Sequence, residues 1–158
     1  MTTVNTLQSG GQGTAIPSGY IGQQLISTVS ASTNFTANNA WFDMTSLSIA
    51  QGVWAVSLHT AVLYNTTNTT ADYANFGISV DSGITFSDII STVNSGAISK
   101  LTGRADGFAT SSGCIPAYVI NVSGSTYPAG RTYYAKMNMT YTGTAPQFRC
   151  TLQAIRIG

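Results

Sequence analysis

The side chains that could act as acids, bases or nucleophiles in this sequence are few and widely spaced. His59 is the single histidine, and the acidic residues are five aspartates. A histidine acting as a general base needs an orienting carboxylate and a reacting group in reach, and a glycosidase needs two convergent carboxylates. No spacing pairs an aspartate with His59, so we expect a packed or interface histidine and no enzyme. The aspartates are Asp43, Asp72, Asp81, Asp88 and Asp106.

The sequence offers no metal or cofactor motif. Cys114 and Cys150 are far apart and form no CxxC pair, and with one histidine they cannot complete a typical four-ligand zinc site. We expect two free, mostly buried thiols rather than a disulfide. The glycines at positions 10, 11 and 13 are not followed by Lys-Ser/Thr, so they do not form a phosphate-binding loop. No cofactor is therefore predicted.

Composition excludes further classes of partner. Charged residues make up 7% of the chain, against about 25% in typical domains, and the net charge is +1 without a cluster of cations. Binding of nucleic acid through phosphate neutralisation is not expected from such a surface. No apolar run is long enough to span a membrane. The first 13 residues lack the apolar core of a signal peptide, which predicts synthesis in the host cytoplasm.

Two segments alternate between apolar and polar residues with the period of a β-strand. In residues 53–65, Ser57 and His59 lie on the less apolar face. In residues 131–141, Tyr134 and Lys136 lie on the polar face. The apolar faces are formed by Trp54, Val56, Leu58, Val62 and Tyr64 in the first segment, and by Tyr133, Ala135, Met137, Met139 and Tyr141 in the second.

Shorter strands are predicted around these two. Residues 30–39 are expected to form turns, and residues 87–98 are interpreted as strand and loop, although their apolar spacing would also fit one face of a helix. The result is an all-β jelly roll or β-sandwich of about eight antiparallel strands, spanning residues 19–158. The shorter strands are residues 19–29, 41–47, 73–80, 117–123 and 147–157.

Residues 1–18 are expected to form a separate, extended N-terminal arm. The glycines make this segment flexible, and its apolar residues, which include Val4, Leu7 and Ile16, are too few to build a core. We predict that these three residues bind a partner. Tyr127, from its loop setting, and Tyr134, from its strand parity, are the aromatic residues predicted to be exposed for contact. Such rings beside polar residues would also suit a sugar.

Four short motifs resemble those of jelly-roll virion proteins of tailed bacteriophages. In that family an opening G-x-I-G, a strand start L-x-x-G-x-W-x-V and a terminal A-x-R-I recur. The sequence departs from the family pattern at Ile49 and Ala50, which replace the usual Leu and Thr or Pro. The motifs here are residues 19–23 (GYIGQ), 48–56 (SIAQGVWAV), 133–137 (YYAKM) and 154–157 (AIRI).

The resemblance implies a homotrimer with a structural role in the virion. Such domains occur as capsid decoration (cement) proteins and at the tips of tail fibres. A fibre normally carries a long shaft ahead of its tip, and only the 18-residue arm precedes this domain, which favours a decoration protein on the capsid surface. Its partner would be the major capsid protein. The alternative is a receptor-binding or carbohydrate-binding fibre tip with a glycan ligand.

Overall fold

The computed structural model describes residues 19–65, 70–86, 88–95 and 108–158. Within these residues the chain forms eight strands and no helix. None of the described segments could therefore cross a membrane as a helix. The strands are β1 (Gln24–Asn34), β2 (Trp41–Ile49), β3 (Gly52–Asn65), β4 (Thr70–Ser79), β5 (Asp88–Ser95), β6 (Phe108–Val122), β7 (Arg131–Thr142) and β8 (Gln147–Arg156).

The strands form two sheets of four in the described part of the chain. The first sheet has the order β1-β8-β3-β6 and the second the order β2-β7-β4-β5. All the strand pairings described are antiparallel. Strands distant in sequence lie side by side in both sheets, which is the double Greek-key arrangement of a jelly roll. The predicted all-β jelly roll is confirmed.

The core lies between the sheets and is built by the two segments whose alternation was clearest. From β3, Trp54, Val56 and Leu58 are fully buried, and from β7, Met137 and Met139 are fully buried. The indole Nε1 of Trp54 donates a hydrogen bond to the carbonyl oxygen of Ala50 at 3.0 Å, so its polar atom is satisfied inside the core. Both predicted apolar faces therefore point inward wherever their side chains are described.

The first predicted strand was wrong in position. Residues 19–23 form a turn, in which Gly19 and Gly22 adopt positive φ, and the strand runs over Gln24–Asn34. Residues 30–34, expected as turn, extend this strand and pair with β8 at Thr33↔Phe148 after an irregularity that follows Val29. Pairing with a neighbouring strand has outweighed the turn preference of the local residues.

Of two other predicted segments, one agrees with the structure and one differs in length. The interpretation of residues 87–98 as strand and loop is confirmed where the structure describes them, since β5 covers Asp88–Ser95. The strand predicted at residues 117–123 is longer and begins at Phe108. The N-terminal arm, residues 1–18, lies outside the described residues, as do the side chains of Tyr64, Asp72, Asp88 and Asp106.

Candidate functional site

His59 lies on the outward side of β3, as its strand parity predicted, and is exposed. Its register partners are Cys114 on β6 and Thr151 on β8. Nothing in the residue pattern predicted that His59 and Cys114 would be neighbours. A thiol nucleophile with an imidazole base also needs a group that orients the imidazole, and no described aspartate lies on this side of the first sheet. The described residues contain no cluster of three or more metal-ligating side chains.

The two cysteines are both free, as predicted, but they differ in depth. Cys114 is exposed, so the prediction of mostly buried thiols was wrong for this residue, whereas Cys150 on β8 is buried. Strand alternation explains the difference, because Cys150 points into the core and Cys114 outward. Burial raises the pKa of the Cys150 thiol to about 11, against a hydrogen bond with the backbone of Val29 that acts in the opposite direction. Cys150 is therefore a core thiol at neutral pH.

The outward side of the second sheet, here named the covered face, carries a buried ion pair. Lys136 on β7 was predicted on the polar face of its strand, yet its side chain is 0% exposed. Its Nζ lies 2.7 Å from Oδ1 of Asp43 on β2 and donates to the carbonyl oxygen of Gly83 at 2.7 Å. The N–H of Gly83 donates in turn to Oδ2 of Asp43 at 2.7 Å. Lys136 and Asp43 thus hold both polar backbone groups of Gly83.

Gly83 belongs to the covering loop, defined as residues 80–86, which joins β4 towards β5. A second contact holds this loop to the sheet, because the ring of Phe86 stacks on Trp41 with centroids 4.1 Å apart. Gly77 on β4 leaves space for Phe86, since a Cβ at that position would lie 2.5 Å from the ring. Ile84, between the two contacts, is 77% exposed. The covering loop therefore closes the part of this face around Lys136, Gly77 and Trp41, and one exposed apolar side chain lies between its two contacts.

The outward side of the first sheet, here named the open face, has an apolar centre. One row across its four strands joins Val119, Ala55, Ile155 and Gln24, and Ile26 lies two residues further along β1. Val119 is 58% exposed, Ile26 55% and Ile155 38%. The sequence analysis did not single these residues out. Their signal was present, because each is an apolar residue at an outward position next to inward apolar neighbours.

The remainder of the open face is polar and almost uncharged. Thr28, Thr151 and His59 share a row, and Ser57 and Gln153 lie between that row and the apolar centre. Among the described side chains of this face, the one with a formal charge is Arg149, at one end of the face. A depression of about 390 Å³ near Arg149, His59 and Thr28 is open to solvent, unlike the enclosed pockets that take small ligands. The face is suited to contact with a broad surface.

The two aromatic residues predicted as contact sites are both half-buried. Tyr127 packs against the core, and the guanidinium of Arg131 lies 4.4 Å from its ring centroid and donates to its hydroxyl at 2.6 Å. Tyr134 lies on the covered face, where the Nζ of Lys136 is 5.9 Å from its ring. The structure does not bring the two together. Val4, Leu7 and Ile16, the predicted contacts of the arm, lie outside the described residues.

Comparisons with known proteins add two weak likenesses. No family model and no curated protein matches the chain. Two of the similar structures are viral. A chain in the structure of the Gx strain of infectious bursal disease virus is 14% identical, with 87% of this chain and 33% of that chain covered and a TM-score of 0.40. A chain of the VP2 subviral particle of infectious bursal disease virus is 12% identical, with 87% of this chain and 42% of that chain covered and a TM-score of 0.32. The chain spans less than half the length of either.

Proposed function

We propose that this chain is a structural virion protein, a homotrimeric capsid decoration (cement) protein that binds the outer capsid surface and stabilises it. The observation that carries the proposal is the open face, which is four strands wide, exposed and apolar at its centre, as expected of a subunit that joins other proteins in an assembly. A protein that acts by contact needs such a surface and needs no catalytic group. The motifs shared with jelly-roll virion proteins of tailed phages point to the same role.

The low charge of the chain suits a protein that is largely covered in an assembly. A charged side chain loses its hydration when an interface forms, and this loss is costly unless the charge is paired. The open face avoids this cost because its described outward side chains are almost all neutral. Three linked copies would also multiply the affinity of each arm for the capsid without new contacts.

The predicted arm provides the most direct test of the decoration role. Chains lacking residues 2–18 should remain folded trimers by light scattering but lose co-sedimentation with capsids that lack their own decoration protein. Replacement of Val4, Leu7 and Ile16 by Ser should reproduce the loss, and the matched replacement of Thr2, Thr3 and Thr6 by Ser should not. Unchanged capsid binding by the truncated chain would contradict the role of the arm.

The alternative function, a receptor-binding or carbohydrate-binding tip, is separated by the same truncation. A glycan ligand bound by the folded domain would be retained without residues 2–18, and a glycan array would detect it. Some described aromatic rings are already occupied, since Trp41 and Phe86 stack on each other and Arg131 lies over Tyr127. Tyr20 and Tyr118 are exposed, so the aromatic rings do not separate the two functions. Glycan binding by the truncated chain together with no capsid binding by the full chain would establish the alternative.

A further inference from the structure

The two sheets differ in what lies over their outward sides. The covering loop closes the covered face through Gly83 and Phe86, whereas no described segment of the chain lies over the apolar centre of the open face. Exposed apolar side chains that form a contiguous patch commonly mark an interaction site. The size and the charge of the open face indicate what covers it.

The size of the open face matches one side of a stable protein interface. Four strands at a spacing of about 4.8 Å, over nine residues at about 3.4 Å each, give roughly 19 Å by 30 Å, or about 600 Å². Stable interfaces bury about 1,200–2,000 Å² in total, which is about 600–1,000 Å² on each partner. The described part of this face alone therefore reaches the lower end of that range. A small ligand would leave most of it exposed.

The charge of the open face favours a second copy of the same chain. In a cyclic assembly, residues near the rotation axis meet their own copies, so charged residues there would face like charge. Val119, Ala55 and Ile155 avoid this repulsion, and Arg149 lies several residues away, opposite Ala61. A different partner is commonly selected through complementary charge, and this face offers almost none to complement.

We infer that a second copy of this chain covers the open face, with Ala55, Val119 and Ile155 at the centre of the contact. This inference rests on the proposed function, because it names the surface through which the copies of the trimer join. It assigns a different task to the predicted arm and to Ile84 on the covering loop, which remain available for the capsid. The interface would be apolar at its centre and ringed by neutral polar side chains, including Gln24, Ser57 and Gln153.

Single substitutions to aspartate test the inference. Ile155→Asp and Val119→Asp each place a carboxylate in the centre of the contact, where every copy adds its own. The concentration at which the oligomer half-dissociates, measured by light scattering or mass photometry across a dilution series, should rise by about 30-fold or more. The matched control is Ile84→Asp, which makes the same replacement at an exposed isoleucine in the loop over the other sheet and should leave that concentration unchanged.

Two further measurements distinguish dissociation of the oligomer from unfolding of the chain. Far-UV circular dichroism and the near-UV signal of buried Trp54 should be unchanged in the dissociated variants. Val119→Thr keeps the branched side chain and the strand preference and removes only apolar surface, so it should raise the dissociation concentration by a few-fold. Full oligomer formation by folded Ile155→Asp and Val119→Asp would overturn the inference, as would equal dissociation caused by Ile84→Asp.

Capsid binding separates a failure of this inference from a failure of the proposed function. If the wild-type chain binds capsids but Ile155→Asp remains oligomeric, the surface assigned to the copies is wrong and the decoration role stands. If the wild-type chain is monomeric at micromolar concentration and still binds capsids, the contact between copies is likewise wrong and the decoration role stands. If Ile155→Asp dissociates the oligomer but the wild-type oligomer does not bind capsids, the interface is correct and the decoration role is wrong.

Discussion

The outward faces of the two sheets share the same alternating residue pattern but differ in solvent exposure. Both belong to four-stranded antiparallel sheets, and both alternate with inward apolar residues. On the covered face a lysine became fully buried beneath residues 80–86, whereas on the open face Val119 and Ile26 remained more than half exposed. The strands do not decide this difference. It depends on the connection from β4 towards β5, which folds back over its own sheet and is held there.

The largest expected effect tests the ion pair that holds the covering loop. Asp43→Ala leaves the buried ammonium of Lys136 without its carboxylate, and we expect the free energy of unfolding to fall by about 3 kcal/mol. Urea unfolding followed by tryptophan fluorescence measures the change. Asp81→Ala is the matched control, because the described contact of that residue is made by its backbone N–H to Ser79, and it should shift stability by less than about 0.5 kcal/mol.

A second substitution shows whether this loss comes from the unpaired charge. Replacing both partners, Asp43→Ala with Lys136→Met, removes the charge as well as the pair, and should recover at least half of the lost stability. If the double variant were as unstable as Asp43→Ala, the pair would act by fixing the position of Gly83 rather than by neutralising Lys136. If Asp43→Ala cost less than 1 kcal/mol, the covered face would not depend on this contact.

The next effect concerns the second anchor of the covering loop. Gly77→Ala places a Cβ 2.5 Å from the ring of Phe86, so the ring must leave its stack on Trp41, and we expect a loss of about 2 kcal/mol. In a Phe86→Ala background the same substitution should be almost neutral, because the clash is gone. Thermal unfolding of the four proteins of this double-mutant cycle gives the coupling. Additive losses would mean that Phe86 and Gly77 do not share a contact.

The third effect compares the two cysteines of the first sheet, the buried Cys150 and the exposed Cys114. The buried Cys150 has a pKa of about 11 against an ordinary value of 9.0, so the unfolded chain releases this proton at lower pH than the folded chain. The sign follows: stability is independent of this thiol below pH 9 and falls as the pH rises from 9 to 11, by about 2 kcal/mol at pH 11. The fall should be smaller in Cys150→Ala and unchanged in Cys114→Ala.

Burial also raises the pKa of the Tyr133 hydroxyl, against a lowering by the charge of Arg131, so part of the alkaline loss will remain in every variant. The comparison between the two cysteine variants removes that part. Unfolding free energies at several pH values from 8 to 11 give the slopes. Equal slopes in Cys150→Ala and the wild type would show that the buried thiol does not contribute.

The smallest expected effect is on the open face itself. Ile26→Thr replaces an exposed residue on an edge strand with another β-branched one, so the unfolding free energy of the dissociated chain should change by less than about 0.5 kcal/mol. Thr28→Val, two outward positions from Gln24 on the same strand, makes the reverse change and should be similarly neutral. Urea titrations in the Ile155→Asp background give the comparison. A loss above 1 kcal/mol would show that this face contributes to the fold of the single chain.

The strands that could be predicted from the sequence are those whose side chains alternate without interruption. Residues 53–65 and 131–141 were placed with their correct faces because strand parity is a local property. The start of β1 was misplaced because residues 30–34 are held by pairing with β8, which local composition does not contain. The irregularities in the pairing of β2 with β7 and of β3 with β6 likewise depend on register and not on residue type.

The features of the candidate surfaces were harder to predict for a related reason. The parity of Lys136 was correct, but its burial depends on Asp43, Gly83 and a covering loop that come from distant parts of the sequence. On the open face, Val119 and Ile155 lie inside apolar runs, where an outward residue looks the same as an inward one. A rule that treats each apolar residue at an outward position as a contact candidate would have found them.

The adjacency of β1 and β8 has a consequence for how the molecule is made. Gln24 pairs with Ile155, and within the described residues β8 is the strand that β1 borders. Of the described strands, β1 leaves the ribosome first, and it must wait for β8 before it can form this pairing. Such high contact order places folding on the order of milliseconds to seconds, and it leaves nascent chains with an unpaired apolar strand. Chaperone depletion during translation should consequently reduce the yield of this protein more than that of a helical protein of the same length.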